Sequence, residues 1–148
     1  MGDITNTGTA EQYDSLLEIV NGETHEGTET IYCMGNHEFY ANSSAEDSRD
    51  RFKEKTGQDI NKSVEVNGVT VITLGAPDAS GNYSSDYNFL KGALEAAAEK
   101  DPDAPIFVLA HHGVPDTAYV TSEWKGYYGE KMEQLLAKYP QVIYISGQ

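Results

Sequence analysis

The sequence predicts an α/β fold in which helices flank a layered, mainly parallel or mixed sheet. Three short apolar segments have the composition of buried strands, at residues 31–34, Ile106–Ala110 and residues 142–145. Segments with helical periodicity separate these strands, and polar Gly- or His-containing residues follow each strand at once. Because this alternation brings the carboxyl ends of parallel strands to one edge of a sheet, those polar residues are expected to meet there.

The composition limits both the number of domains and the partners. A chain of 148 residues suits one domain with its own core. Ten basic and 24 acidic residues give a formal net charge of −14, which argues against nucleic acid polymers and anionic membranes as partners. No apolar run of about 18 residues occurs, so no membrane span is predicted. No signal-peptide pattern occurs, although the acidic, hydroxyl-rich composition with a single Cys favours an exported bacterial protein.

The chain opens with a glycine-rich loop and a helix. Asp3 lies in the loop, where by itself it is also compatible with a disordered terminal acid. Thr9 is predicted to cap the helix, with Gln12 three residues later as in a capping box. Gly22 is the expected C-terminal residue of the helix. The predicted core face consists of Tyr13, Leu16, Leu17 and Val20.

Two helices and a hairpin are predicted between the first two strands. Residues 43–55 have the charged composition of a solvated helix. Alternating β-branched residues on both sides of Asn67 and Gly68 predict a β-hairpin. Asp86 is predicted to cap the next helix. The core face of that helix is expected to be Phe89, Leu90, Ala93, Leu94 and Ala97.

The last helix is predicted to end at Pro140, ahead of the third strand. Two loops, residues 75–85 and 116–126, are the expected places where a substrate would be selected. Four aromatic side chains in or beside these loops could stack on a base or simply pack, and the sequence leaves both alternatives open: Tyr83, Tyr87, Tyr119 and Trp124.

Asp3, Asn36 and His111, taken as one cluster, are the predicted metal ligands. Asn36 and His111 follow predicted strands, whereas Asp3 lies in the opening loop. Carboxylate and amide oxygens together with an imidazole nitrogen suit Mn²⁺, Fe²⁺ or Zn²⁺. Two such ions, about 3.5–4 Å apart and bridged by a carboxylate, can hold a hydroxide and the oxygens of a phosphate. The ions would also supply the positive field that an acidic chain lacks.

Three neighbouring side chains complete the predicted site. His37 could donate a proton to a leaving alkoxide, although a surface histidine in a turn is the alternative. Glu38 could orient His37 or a metal ligand from behind. His112 is the neighbour that could replace His111 as the ligand.

Four short blocks occur in a characteristic order along the chain. Residues 2–8 begin with G-D and end with G, and residues 35–38 are G-N-H-E. Residues 110–112 place a His pair after a strand, and residues 144–147 lead toward a final glycine. These blocks resemble those of the calcineurin-like metallophosphoesterases, with the G-N-H-E block matching letter for letter.

The resemblance implies an α/β sandwich that hydrolyses a small phosphomonoester or phosphodiester with a hydroxide bridging two divalent metal ions. Asp3 would be the bridging ligand, and Asn36 and His111 would bind the second ion. His37 would act as an acid or stabilise the transition state. His111 is preferred to His112 by its position at the strand end.

The sequence also departs from the family pattern. The opening D-x-H block is absent, and Gln148 occupies the place of the first His of the closing G-H-x-H block. Residues 1–148 are therefore expected to be a single, incomplete domain, truncated at both ends, whose bare sheet edge could self-associate. A catalytically inert, degenerate domain acting as a binding module is the alternative function. No G-x-S-x-G elbow and no P-loop occur.

Overall fold

A four-stranded mixed sheet forms the centre of the fold. The structure, a computed structural model, describes residues 1–41, 44–80, 82–115, 117 and 125–147, with the backbone alone for 125–130. The strands stand side by side in chain order: β1 (Lys62–Val66), β2 (Val69–Leu74), β3 (Ile106–Ala110) and β4 (Val142–Ser146). β1 pairs antiparallel with β2, whereas β2, β3 and β4 are parallel. The predicted α/β fold with a mixed sheet is confirmed.

Four α-helices in the described part of the chain accompany the sheet. They are α1 (Ala10–Glu23), α2 (Ala45–Thr56), α3 (Tyr87–Lys100) and α4 (Lys125–Leu136). α1 contacts α2, and α3 contacts both β2 and α4. None of the helices in the described part of the chain has the length and apolar character needed to cross a membrane.

The predicted hairpin is confirmed. Val66 faces Val69 across a two-residue turn whose Asn67 and Gly68 have φ angles of 50° and 84°. Two successive residues with positive φ are what a tight turn between twisted antiparallel strands requires, and Asn and Gly adopt them most readily.

The predicted Thr9 cap of α1 is confirmed, whereas the predicted capping box and the predicted end at Gly22 are wrong. Thr9 accepts a hydrogen bond from the backbone N–H of Gln12, as predicted. The Gln12 side chain accepts from the N–H of Thr7 instead of closing a capping box. The helix continues past Gly22 and ends at Thr24, whose extended backbone and hydroxyl both donate to the carbonyl of Val20. Because Thr24 satisfies that carbonyl, the helix needs no left-handed glycine.

The prediction that the Asp86 side chain caps α3 is wrong. A 3₁₀ helix, Tyr83–Asp86, runs directly into α3, so the chain arrives already helical and Asp86 makes no capping hydrogen bond. Its carboxylate accepts from the Asn61 side chain instead. The predicted core face of α3 is confirmed by three buried and two partly buried side chains: Leu90, Leu94 and Ala97, and Phe89 and Ala93.

The first predicted strand, residues 31–34, does not form. The segment is buried, but its backbone makes isolated hydrogen bonds on two sides instead of a ladder. The Cys33 carbonyl accepts from Gly2, and the Met34 carbonyl accepts from Ala76. Tyr32 donates its N–H to the side chain of Gln58. The apolar composition therefore indicates burial, and the strand prediction is wrong because, in the described part of the chain, no strand forms a ladder with this segment.

The third predicted strand forms as β4. The prediction that it is fully buried is wrong. Ile143 and Ile145 are 45% and 37% exposed. β4 lies at one end of the strand order, so in the described structure it has a strand neighbour only on the β3 side. Alternate side chains of such a strand face away from the core.

Cys33 is buried in the core, as predicted for a small hydrophobic residue. Its thiol donates to the carbonyl of Leu74 at 3.2 Å. Burial raises the pKa of this thiol to about 12. The surrounding core includes Tyr13, Met34, Phe52, Ile72, Leu74, Leu94 and Val108.

Candidate metal centre

Three of the predicted site residues converge where β3 ends. The Nε2 atom of His111 lies 3.1 Å from Oδ2 of Asp3, and Nε2 of His37 lies 3.7 Å from the same oxygen. The backbone N–H of His37 donates to the other oxygen, Oδ1, at 3.0 Å. One carboxylate from the opening loop is therefore in contact with two imidazoles that are 74 residues apart in sequence.

Glycines let the opening loop approach the strand end closely. Gly2, Asp3 and Gly8 have φ angles of 74°, 47° and 78°. A Cβ on Gly2 would lie 2.5 Å from the ring of His111, and one on Gly8 would lie 2.1 Å from the carbonyl oxygen of Glu38. No real side chain fits at either position, so the two glycines of this block are sterically required.

Glu38 fixes this loop from within the protein. Its side chain is fully buried and accepts hydrogen bonds from the backbone N–H groups of Asp3, Thr5 and Gly35 and from the Thr5 hydroxyl, at 2.7–3.0 Å. A buried carboxylate is tolerated only when it is satisfied in this way. Sequence analysis expected Glu38 to orient His37 or a ligand, and here it holds the backbone of Asp3.

His111 is oriented by its other ring nitrogen. The residue is 1% exposed, and its Nδ1 lies 3.0 Å from the carbonyl oxygen of Met1. A carbonyl can only accept, so Nδ1 carries a proton and Nε2 is the ring nitrogen that can act as an acceptor. Nε2 has no hydrogen-bond partner, because the direction of its contact with Asp3 is not that of a hydrogen bond. Two polar atoms thus face one another at 3.1 Å without a hydrogen bond between them.

His112 lies behind His111. The two rings meet edge to face with centroids 4.8 Å apart, and Nδ1 of His112 is 3.1 Å from the Tyr83 hydroxyl. Burial, with a smaller contribution from His111, lowers the pKa of His112 to about 4. This ring is therefore neutral at pH 7 and packs against the candidate ligand.

Asn36 contributes a second buried acceptor without a partner. Its Oδ1 atom is inaccessible and makes no hydrogen bond, whereas its Nδ2 donates to the hydroxyl of Tyr40 at 2.6 Å. Asn36 follows Gly35, where an added Cβ would lie 2.3 Å from Oδ1 of Asp3. The chain therefore enters Asn36 directly beside the carboxylate.

The chemistry of these donors fits a divalent cation. An imidazole nitrogen, a carboxylate and a neutral amide oxygen are ligands that first-row metals accept, and two of them are buried acceptors left unsatisfied. Across the described residues, no group of three or more His, Cys, Asp or Glu side chains is arranged to hold a metal. The trio of Asp3, Asn36 and His111 has only two of these residue types, and its role in binding metal stays a prediction.

Two features of the site were missed by sequence analysis. The carbonyl of Asn6 lies 2.9 Å from Nδ1 of His37, and no sequence pattern predicts this contact. The contact between Tyr40 and Asn36 could have been predicted, because residues four apart meet on one side of a helical turn.

The alternatives left open for the aromatic side chains are partly resolved. Tyr83 is fully buried against His112, so it packs and cannot stack on a base. Tyr87 is partly buried against the core. Tyr119 and Trp124 lie outside the described residues, as does most of loop 116–126.

A separate open cleft of about 370 Å³ adjoins loop 75–85. Arg49 and Lys53 of α2 line one part of it, and Asn61 and Asp86 line another. Neither Asp3 nor His111 is among its lining residues. The metal centre and this cleft are therefore distinct surfaces.

Comparison with known proteins identifies one family. The sequence model of the family described as calcineurin-like phosphoesterase (Metallophos) matches residues 1–147, essentially the whole chain. No curated protein and no solved structure matches the chain significantly.

Proposed function

The chain belongs to the calcineurin-like phosphoesterase family, and from this membership we propose that its Asp3–His111 centre serves the metal-dependent hydrolysis of a small phosphoester. One observation carries the proposal. Nε2 of His111 faces Asp3 Oδ2 at 3.1 Å without a hydrogen bond, so a cation is the natural partner for both atoms. The net charge of −14 also favours a bound cation, since an anionic substrate needs a local positive field.

Asp3, Asn36 and His111 would hold one ion, and the carboxylate of Asp3 would also reach a second. When bound, divalent ions such as Mn²⁺, Fe²⁺ or Zn²⁺ would polarise the phosphoester and lower the pKa of the attacking water. Glu38 keeps the Asp3 backbone fixed, and the Met1 carbonyl keeps Nε2 of His111 directed at Asp3. The ligands would thus be oriented before any ion arrives.

His37 is the proposed proton donor to the leaving oxygen. Its Nδ1 is bonded to the Asn6 carbonyl, so Nε2 is the nitrogen that faces the carboxylate of Asp3. The side chain is 38% exposed, which leaves it accessible to a substrate. A protonated ring could donate from Nε2 to an alkoxide as the phosphorus–oxygen bond breaks.

A catalytically inert binding module is the second candidate, and one observation favours it. Among the described residues, no three His, Cys, Asp or Glu side chains are arranged to hold a metal ion, which leaves few strong ligands for a dinuclear centre. In this alternative the chain would bind one ion weakly and would not turn over a substrate.

The test is hydrolysis of bis(p-nitrophenyl) phosphate with added Mn²⁺, together with Mn²⁺ binding measured by calorimetry. We expect turnover by the native chain, with a loss of at least about 100-fold in His111→Ala. His25→Ala is the matched control, since His25 is exposed in the linker after α1, and it should leave both quantities unchanged.

The outcomes separate the two candidates. Mn²⁺ binding that depends on His111 but comes without turnover would support the binding module. Absence of both binding and turnover in the native chain would overturn both candidates.

A further inference from the structure

We propose that Tyr40 is a positioning residue that holds the Asn36 amide with its oxygen directed into the metal centre. The inference rests on the proposed function for its consequence, although the geometry stands without it. Tyr40 is 52% exposed, so burial in the core does not explain a large aromatic side chain at this position. Among the described residues, its side chain contacts two neighbouring site residues, Asn36 and His37.

The Asn36 amide has two ends of nearly equal shape and opposite chemistry. Nδ2 donates to the Tyr40 hydroxyl at 2.6 Å, and Oδ1 points to a buried position without a partner. If the amide were flipped, the hydroxyl could donate to Oδ1, but the buried end would then be an NH₂ group. That group has only donors and cannot bind a cation. The orientation in the structure, with Nδ2 on the Tyr40 hydroxyl and Oδ1 at the buried end, is therefore the one that can ligate.

A short turn places the hydroxyl where it is needed. The 3₁₀ helix His37–Phe39 carries the chain from Asn36 to Tyr40, with the Tyr40 N–H donating to the His37 carbonyl. Glu38 and Phe39 are both buried and anchor the turn to the core. Tyr40 consequently returns to the same side as Asn36 without being buried itself.

The ring and the hydroxyl of Tyr40 make separable contacts. The ring lies 4.5 Å from the ring of His37, centroid to centroid, at an interplanar angle of 41°. The hydroxyl contacts only Asn36 among the described residues. Tyr40→Phe therefore removes the amide contact and keeps the ring contact, whereas Tyr40→Leu removes both.

Two measurements test the proposal. In the metal-free protein, the NMR signals of the Asn36 side-chain NH₂ should shift in Tyr40→Phe, because their acceptor is lost. In the same variant the Kd for Mn²⁺ should rise about fivefold to tenfold, as expected when a hydrogen bond to a ligand is removed. The turnover number at saturating Mn²⁺ should stay near the native value, because the ligand is recovered once the ion is bound.

The comparison variants exclude a general loss of structure. Tyr40→Leu should raise the Kd for Mn²⁺ to the same extent and should also lower turnover at saturating Mn²⁺, since the His37 ring loses its neighbour. Tyr139→Phe, between α4 and β4, is the matched removal of a hydroxyl and should change none of these quantities.

Each outcome decides one question. An Asn36 amide signal that does not move in Tyr40→Phe overturns the proposal, whatever the metal does. A Kd within twofold of the native value in that variant also overturns it. A native chain that binds no Mn²⁺ refutes the proposed function instead, and the amide signal of the metal-free protein still decides the role of Tyr40.

Discussion

The two halves of the candidate metal centre are held in place by different means. His111 follows a central strand that is paired on both sides, and the N–H of Gly147 donates to its carbonyl. Asp3 lies in a loop with three successive constraints: positive φ angles, glycines without room for a side chain, and one buried carboxylate, Glu38. The position of His111, in what we call the strand half, thus depends on many contacts that each have a small effect. The position of Asp3, in what we call the loop half, depends on few contacts that each have a large effect.

This difference bears on where strain is stored. Asp3 has a φ of 47°, which costs a non-glycine residue on the order of 1–2 kcal/mol. Such a conformation persists only when its surroundings enforce it, and here the surroundings are chiefly the hydrogen bonds to Glu38. A single mutation in the loop half should therefore have a large effect, whereas a single mutation in the strand half should have a small one.

The largest expected effect is that of Glu38→Ala. The substitution leaves the N–H groups of Asp3, Thr5 and Gly35 without their acceptor in a buried site. We expect the free energy of unfolding to fall by about 3–5 kcal/mol, because several charge-assisted hydrogen bonds are lost together. Urea denaturation measures this. A loss below about 1 kcal/mol would contradict the dependence of the loop on this one carboxylate.

Gly2→Ala should have the next largest effect. The new Cβ would lie 2.5 Å from the His111 ring, at a φ of 74°. We expect a loss of about 2–4 kcal/mol, of which about 1–2 come from the backbone conformation alone. Gly27→Ala is the matched control, because Gly27 has a φ of 85° and nothing within 4 Å of an added Cβ.

The difference between these two variants, again from urea denaturation, isolates the steric part. Equal losses in Gly2→Ala and Gly27→Ala would mean that the close approach to His111 is not a constraint.

A variant of the strand half should have a smaller effect. The hydroxyl of Tyr144 donates to the His112 carbonyl at 2.9 Å. Tyr144→Phe should cost about 1 kcal/mol and leave Mn²⁺ affinity within about twofold, because the β-ladder still holds the strand end. Thermal unfolding and calorimetry measure the two quantities. A loss of stability as large as that expected in Gly2→Ala would remove the contrast between the halves.

The smallest expected effect concerns the reactivity of the Cys33 thiol, which reports directly on whether the opening loop stays in place. Its carbonyl accepts from Gly2, and its buried thiol has a pKa of about 12. In the native protein we expect almost no reaction with a disulfide reagent, without a rise between pH 7 and 9, since the thiolate is the reactive form. In Glu38→Ala the thiol should react readily. Equal, slow reaction in both proteins would show that the loop stays in place.

The same thiol makes stability depend on pH in a defined direction. Its folded pKa lies above the ordinary value of 9.0, so the unfolded chain loses this proton first. The contribution of Cys33 to stability is complete below pH 9 and is lost as the pH rises toward 12. Cys33→Ala should flatten that part of the urea-stability profile.

What could be predicted from the sequence was decided by local interactions. The Asn67–Gly68 turn and the Thr9 cap each depend on a few adjacent residues, and His111 on a long apolar run. The predictions for residues 31–34 and Asp86 failed because distant partners, Gly2 and Asn61, decide what those segments do. The role of Glu38 depends on Asp3 and Thr5, more than 30 residues away, and no spacing rule connects them.

The two outer strands of the sheet have a consequence for handling the protein in solution. β1 carries Lys62 and Glu65, which discourage pairing with another chain, whereas β4 (VIYIS) has no charge along its length. Copies bearing 14 excess negative charges repel one another at low ionic strength, but that repulsion reaches only about 10 Å in 0.1 M salt. Added salt, rather than dilution or cooling, should therefore cause the protein to aggregate, which is visible as turbidity.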